Sequence, residues 1–314
     1  MKIVGVSFGT KNGNNDTMCR VALEAAQKAG AEVEFIHLLD WHIEQCTGCV
    51  ACSRGLVMGK GNICTRKDDF DAFRSILLDA DGILFVSPIF ESGASGLLHA
   101  VCDRFGPRMD RGMNIIGDQI SKANGGPGVD PRLLQDKVIS FVGIGGSDWA
   151  CRIQTDHAMI AMSPAWKIID NDFFSWSKDV IMHDDKIERM QEIGRNLAEA
   201  ASDIAAAKYK GVPGVCPHCQ CSNFWLVPGT TKAVCELCGL EGEIVIEDGA
   251  WAFKFDPADE HKAHDTVSGK FLHADDIKEN ETNLMNLGKD PEFKARKKYY
   301  TDLFQPTPPP AKGV

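Results

Sequence analysis

Five short apolar runs alternate with amphipathic helical stretches over the first 210 residues, and this rhythm constrains the fold more than any other feature of the chain. Lys2–Ser7, Glu32–His37, Gly82–Ser87, Lys137–Gly143 and Trp166–Asp170 each have the length and the polar or turn-forming flanks of a buried strand. Between them, Met18, Val21, Ala22, Ala25 and Ala29 share one helical face, as do Phe70, Phe73, Leu77 and Ala80. A third such stretch runs over residues 185–208, with Ile187, Met190, Leu197, Ala201 and Ile204 in register. The alternation predicts an α/β fold, a doubly wound five-stranded parallel sheet with right-handed crossovers. Ligands then bind at the carboxyl ends of the strands.

The pattern changes at Lys210–Gly214, where GVPG ends the last helix. Beyond it lie hairpin pieces, Phe224–Val227, Lys232–Val234, Gly242–Ile246 and Ala250–Phe255. From Pro257 the chain is polar, with a helix expected over Pro291–Leu303 and a proline-rich tail, Gln305–Val314, that cannot bury a core. The expected domains are 1–210, a small β unit over 211–256, and a C-terminal extension over 257–314. The formal charge of −10 argues against nucleic-acid or anionic-membrane binding. No apolar run is long enough to span a membrane, and MKIVGVSFG does not read as a signal peptide, so a cytoplasmic location is expected.

Twelve cysteines are too unevenly placed for a disulfide framework, and close-set cysteines in a reducing compartment read first as metal ligands. Cys216 and Cys219 form one CxxC pair, and Cys235 and Cys238 form another after a fifteen-residue gap. With β pieces between the pairs, this is the spacing of a tetrahedral zinc ribbon, and iron suits the same sulfur geometry. His218 and Cys221 read as bystanders. The ribbon has only Lys232 and Lys254 against Glu236, Glu241, Glu243, Glu247, Asp248 and Asp256, the wrong sign for nucleic acid and the right one for a structural or protein-contact role. Cys46, Cys49 and Cys52 stand in two CxxC steps, with Cys64 following after Ser53–Ile63. Three such thiolates reach one cubane cluster, and a fourth ligand comes from farther along the chain. Cys19 and Cys102 read as small buried hydrophobes.

Three loops follow the first, third and fourth strands. Gly9–Thr17 opens a helix with hydroxyl and amide side chains suited to a phosphate, without a GxGxxG or Walker pattern. Ser87-Pro-Ile-Phe-Glu-Ser-Gly-Ala-Ser-Gly96 opens a second helix, and Gly143-Ile-Gly-Gly-Ser147 follows the fourth strand. Such loops converge on one crevice. The first and second resemble those of the NADPH-dependent FMN reductase superfamily: Thr10 and Thr17 stand at the ends of its Ser-Pro-Arg-x-x-x-Asn-Thr loop, and Ser87–Gly96 matches its Ser-Pro-x-Tyr/Phe-x-x-Gly-x-Ser-Gly stretch. The cysteine run resembles the iron–sulfur flavoprotein branch, in which four cysteines bind a [4Fe–4S] cluster beside FMN.

The resemblance implies a flavodoxin-like fold over about residues 1–208. It implies FMN held by Thr10, Asn12, Asn15, Thr17, Ser87, Pro88, Ile89, Phe90, Ser92, Gly93, Gly145, Gly146 and Ser147, a cluster on Cys46, Cys49, Cys52 and Cys64, and assembly as a homodimer or homotetramer. The function expected is that of an NAD(P)H oxidoreductase passing electrons through FMN and the cluster to a quinone, flavin or other small organic acceptor. The flavin carries the chemistry, so no catalytic side chain is named. Two other readings stand beside it: an electron carrier or redox sensor working with a redox protein such as ferredoxin, and a zinc-ribbon interaction module on a flavodoxin-like scaffold. Of the remaining residues, Trp149, His157, Trp166, Phe173, Phe174 and Trp176 read mostly as core, and His99 with Asp103 as a helical hydrogen-bonded pair. His261, His264, Asp265 and His273 read as solvated surface.

Overall fold

The computed structural model describes residues 1–309. The last five residues of the expected tail, 310–314, lie outside them. The chain forms two compact units, Met1–Lys270 and Phe271–Val314. No helix of the described residues is long and apolar enough to cross a membrane.

In the first unit, β1 (Lys2–Ser7), β2 (Glu32–His37), β3 (Gly82–Phe90), β5 (Val138–Ile144) and β6 (Lys167–Phe174) form a parallel sheet in the order β2-β1-β3-β5-β6. This is the doubly wound, flavodoxin-like arrangement, with its switch of direction between β1 and β3. The three central strands are buried along nearly their whole length, which is why they read as continuous apolar runs rather than alternating ones. On one face pack α1 (Asn14–Lys28) and α7 (Asp184–Ser202), joined through Met18, Leu23, Met190, Ile193 and Leu197. Their crossing is close: a Cβ at Gly194 would meet the Ala22 carbonyl oxygen at 2.1 Å. On the other face, α3 (Phe70–Asp79) and α4 (Gly96–Met109) bury Phe70, Phe73, Leu77, Leu98 and Phe105 against Phe85 and Phe141. Helices α5 (Arg111–Ala123) and α6 (Ile153–Met162) complete this layer.

Two strands exceed their expected lengths. β3 runs on from Ser87 to Phe90 because its chain turns back at Glu91 and Ser92 and pairs with β4 (Gly93–Ala94), Ile89 opposite Ala94 and Phe90 opposite Gly93. Glu91 and Ser92 both have positive φ, 47° and 65°, as a tight two-residue hairpin turn requires. β6 reaches Phe174 because β5 continues beside it, pairing Gly143 with Phe173 and Ile144 with Phe174.

The segment after Cys238 closes a second, antiparallel sheet. Its order is β10-β9-β8-β7, from β7 (Phe224–Leu226), β8 (Lys232–Cys235), β9 (Glu241–Glu247) and β10 (Ala250–Lys254). Its apolar side is not free-standing. Cys216, Cys235, Leu237, Cys238, Leu240 and Phe253 share a cluster with Ala158 and Met162 of α6, so the ribbon and the α/β sheet belong to one unit.

Helix α8 (Val267–Leu287) begins in the first unit, and α9 (Pro291–Leu303) lies in the second. Helix α9 starts on Asp290, whose carboxylate accepts the amides of Glu292 and Phe293, and it buries no residue. His261, His264 and His273 are exposed as expected, whereas Asp265 is half-buried, which corrects its reading as solvated surface. The His264 amide donates to the Cys238 carbonyl oxygen at 2.9 Å, and Asp265 accepts from the His218 ring at 2.7 Å.

Candidate functional site

Four connections meet at the carboxyl ends of β1, β3, β5 and β6 and enclose a crevice of about 720 Å³. From the first loop come Gly9, Thr10, Asn14 and Asn15; from the second, Pro88, Phe90, Ser95 and Gly96; from the third, Gly145 and Gly146. The fourth side is Ser177 and Lys178, just after β6, which the sequence reading did not include. Ser177 Oγ donates to the Gly145 carbonyl oxygen at 2.6 Å, and Asn14 Nδ2 donates to the Ser177 carbonyl oxygen at 2.7 Å. Three loops are thereby tied to one another. The polar run Ser175–Lys178 directly beyond a strand end was the available signal.

The first loop is held from beneath by Asp16. Its side chain is fully buried, accepting the Asn12 amide at 2.7 Å and lying 2.9 Å from His37 Nδ1. Burial alone would push this carboxyl up; bonds from Ser7, His37 and the Asn12 amide outweigh it and hold the acid below its ordinary value. Its negative charge is therefore spent inside the fold and does not face the crevice. Asn12 takes a positive φ of 56°, and Thr17 Oγ1 donates to the Gly13 carbonyl oxygen one turn back, so both shape the turn without lining the crevice. Asn15 does line it: the residue is buried and its Oδ1 has no partner among the described residues. A buried polar atom without a partner is costly unless a ligand or water meets it. Gly9 permits this placement, since a Cβ there would lie 2.7 Å from the Asn15 side chain.

The other expected residues fall behind the lining. Ile89 packs against Gly143 and Gly145, Ser92 is buried in the hairpin turn, and Ser147 Oγ accepts the Trp149 amide. Gly93 approaches Asp156 so closely that a Cβ would meet its Oδ2 at 2.3 Å, while the Ala94 amide donates to the same oxygen. Ser87 turns into the sheet, where Oγ lies 2.7 Å from His157 Nε2. His157, Trp166 and Phe174 are core as expected, but Trp149, Phe173 and Trp176 are 59%, 39% and 64% exposed. His99 pairs with Asp156 across to α6 at 3.7 Å, correcting the expected pair with Asp103. Phe90 lines the crevice and is 60% exposed, so the opening carries a bare aromatic face.

The crevice fits FMN. It offers one phosphate-sized turn at a helix start, an orphaned buried amide oxygen, backbone at Gly145 and Gly146, and apolar walls at Pro88, Leu97 and Ile144.

Cys46, Cys49, Cys52 and Cys64 line a second pocket. The first five residues of the spacer Ser53–Ile63, expected as a loop, belong to α2 (Ala51–Val57), which docks Leu56 against Gly117 of α5. Gly59 and Gly61, at φ 67° and 89°, then turn the chain back, and Asn62 Nδ2 donates to Asn114 Oδ1 at 2.7 Å and to the Arg108 carbonyl oxygen at 2.8 Å. This return is what places Cys64 beside the other three. Arg104 and Arg108 of α4, both buried, complete the pocket wall. Arg104 Nη1 donates to Asp68 Oδ2 at 2.6 Å and to the Glu44 carbonyl oxygen at 2.8 Å, and Nη2 reaches Cys64 Sγ at 3.6 Å. Arg104 Nε and Arg108 Nη1 are buried without partners among the described residues. Four thiols and two buried arginines line one pocket, and this donor set suits an anionic iron–sulfur cluster, since thiolate ligation makes such a cluster negative overall.

The ribbon thiols form a tighter set. Cys216, Cys219, Cys235 and Cys238 have sulfurs all within 4.8 Å of one another, at 3.9 Å for Cys216–Cys238 and 3.5 Å for Cys219–Cys235. Metal–sulfur bonds of about 2.3 Å in a tetrahedron place sulfurs about 3.8 Å apart, so the site fits a single tetrahedral ion. The Cys221 thiol stands outside this set, near Thr155 Oγ1 at 3.7 Å. His218 points away, its ring between Glu260 at 2.9 Å and Asp265 at 2.7 Å, so it fastens residues 260–265 to the knuckle.

A family described as NADPH-dependent FMN reductase matches residues 1–179. A solved structure of a flavone reductase is 49% identical, covers 98% of this chain and 100% of its own, and superposes with a TM-score of 0.89. A flavone synthase of Aspergillus candidus is 27% identical over 296 residues, 89% of each chain. An iron–sulfur flavoprotein of Methanocaldococcus jannaschii is 36% identical over 108 residues, 34% of this chain and 53% of its own.

Proposed function

The chain belongs to the NADPH-dependent FMN reductase family and is a flavin oxidoreductase, and we propose that it passes a hydride from NADPH or NADH, by way of FMN, to a planar flavone-type acceptor. The observation that carries this reading is the exposed aromatic face of Phe90 at the mouth of the crevice, with Trp176 bare one residue before Ser177. A flat polyphenol stacks on such faces, and each stacked pair is worth about 0.5–1.5 kcal/mol beyond its buried area. The flavone reductase and flavone synthase among the similar proteins support the same acceptor class.

FMN, when bound, supplies the hydride chemistry. The protein's own part is to hold and orient. Gly9–Asn15 receive the phosphate at the start of α1, and Asn15 Oδ1, which can only accept, would take a hydrogen bond from a hydroxyl or N–H group of the cofactor. The Ser177–Gly145–Asn14 bonds fix three loops around the ring, and Pro88, Leu97 and Ile144 exclude water. Lys178 is the cationic side chain in the lining and favours an anionic group on cofactor or acceptor.

The [4Fe–4S] cluster on Cys46, Cys49, Cys52 and Cys64 and zinc in the ribbon belong to the same proposal. Sites of this kind require reduced thiols, which supports a cytoplasmic setting. Homo-oligomerisation is included, supported by exposed Tyr299, Tyr300, Leu303 and Phe304 near the C-terminus. The cysteine pocket also favours a second reading, an electron carrier served by a ferredoxin-like partner. Anaerobic stopped-flow separates the two. NADPH or NADH should bleach the bound flavin, and a flavone should restore its colour while being reduced. Reduction by ferredoxin alone, with no turnover of any flavone, would overturn the hydride reading.

A further inference from the structure

Arg104 and Arg108 present an arrangement that neither packing nor ion pairing explains in full. Their side chains are 2% and 3% exposed, and both line the pocket of Cys46, Cys49, Cys52 and Cys64. Arg104 is neutralised by Asp68, which is equally buried. Arg108 Nη2 donates directly to Asp71, whose side chain is 58% exposed and whose charge solvent therefore screens, and Nε donates to Asn62 Oδ1. Each guanidinium keeps one buried nitrogen unpartnered. A buried guanidinium normally fills its five donors, and leaving some unmet costs more than an ordinary lost hydrogen bond. The kink of α4 at Gly106-Pro107 lies between the two arginines, so both serve one wall of one pocket.

We infer that Arg104 and Arg108 are positioning residues that donate to the sulfur atoms of the proposed cluster and set its reduction potential. This rests on the cluster reading given above. Reduction adds one electron and no proton to an already anionic group, so nearby fixed positive charge favours the reduced form and raises the potential. The Nη2 contact of Arg104 with Cys64 Sγ acts in the same sense, because a hydrogen bond to a ligand sulfur withdraws charge from it. Arg104 supplies this bond, and Arg108, whose carboxylate partner is solvent-screened, supplies positive charge beside the thiols.

The test uses the full-length protein purified anaerobically, with iron, sulfide and FMN quantified before any titration. Dithionite titration of the wild type, followed by electron paramagnetic resonance, gives the cluster midpoint. Arg108→Gln should lower that midpoint, and Arg108→Lys should restore most of the fall because it keeps the charge. Replacing Arg104 alone strands Asp68, so Arg104→Gln is made together with Asp68→Asn; the pair should also lower the midpoint and broaden the signal. An unchanged midpoint in Arg108→Gln and in the double variant, with full iron and FMN, would overturn the inference and leave the cluster standing. Wild-type protein with full FMN and no sulfide would overturn the cluster reading and this inference with it.

Discussion

His157 Nε2 stands 2.7 Å from Ser87 Oγ, and both side chains are fully buried beneath the crevice. On the other side of the ring, Nδ1 lies 3.3 Å from Asn171 Oδ1. The Asn171 amide is oriented by its Nδ2, which donates to the Gln154 carbonyl oxygen at 2.7 Å. Oδ1 can only accept, so the ring proton sits on Nδ1 and Nε2 accepts the Ser87 hydroxyl. Ser87 begins the loop that carries Pro88 and Phe90, so a neutral histidine in the core positions one wall of the crevice.

That neutrality makes stability depend on pH. Burial pushes the His157 pKa down to about 4, against a partial lift from Asn171 and Asp156. The unfolded chain takes up the proton first as pH falls below about 6.5, so this contribution is full above that pH and is lost as pH falls toward 4. Its full size is on the order of 3 kcal/mol. In urea unfolding, the penalty of His157→Gln should be about 2 kcal/mol smaller at pH 5 than at pH 7.5. A penalty independent of pH would show that the ring titrates in the fold as it does in the unfolded chain.

Asn15→Ala should weaken FMN binding by about tenfold, the equivalent of one hydrogen bond of about 1.4 kcal/mol. Its helix should not suffer, because the Asn15 Oδ1 has no partner in the protein. Fluorescence titration of the apoprotein reads the first quantity, and a melting temperature of the flavin-free form reads the second. Unchanged affinity would remove Asn15 from the site.

Phe90→Ala should raise the KM for a flavone several-fold while leaving flavin reduction by the nicotinamide within about twofold, as expected for loss of one stacking face. Trp176→Ala should act in the same direction. Steady-state kinetics with each substrate varied in turn separates the two half-reactions. Equal losses in both would place these aromatics on the nicotinamide instead.

Cys235→Ser should expose residues 211–256 to protease and release the ribbon metal, since a structural site of this kind contributes on the order of 10 kcal/mol of apparent binding. The ribbon core also includes Ala158 and Met162, so α6 should loosen at its carboxyl end while the flavin remains bound. Limited proteolysis with mass spectrometry, beside metal analysis, gives both results. A protected, metal-free ribbon would refute the assignment.

The strands, their parallel order and the two cysteine motifs were legible in the chain because each is written in local pattern: apolar runs of buried-strand length, helical faces between them, and CxxC spacings fixed by the reach of sulfur ligands. The crevice residues were legible only as loops. Which side chains of those loops look outward depended on contacts distant in sequence. Asp16 is drawn inward by His37, Gly93 is pinned by Asp156, and Ser177 completes the fourth side by bonding Gly145.

Tertiary structure alone decided four further things. It replaced the His99–Asp103 pair with His99–Asp156, because α4 and α6 lie closer there than one helical turn suggests. It joined the ribbon to α6 through a shared apolar cluster, and it turned Asp265 from surface into the partner of His218. It also buried Arg104 and Arg108 against the four cysteines, although nothing in the sequence distinguishes them from surface arginines. The physical reason is common to all four. Backbone periodicity and ligand spacing are short-range and survive in the sequence, whereas the pairing and burial of charge depend on which elements the folded chain brings face to face.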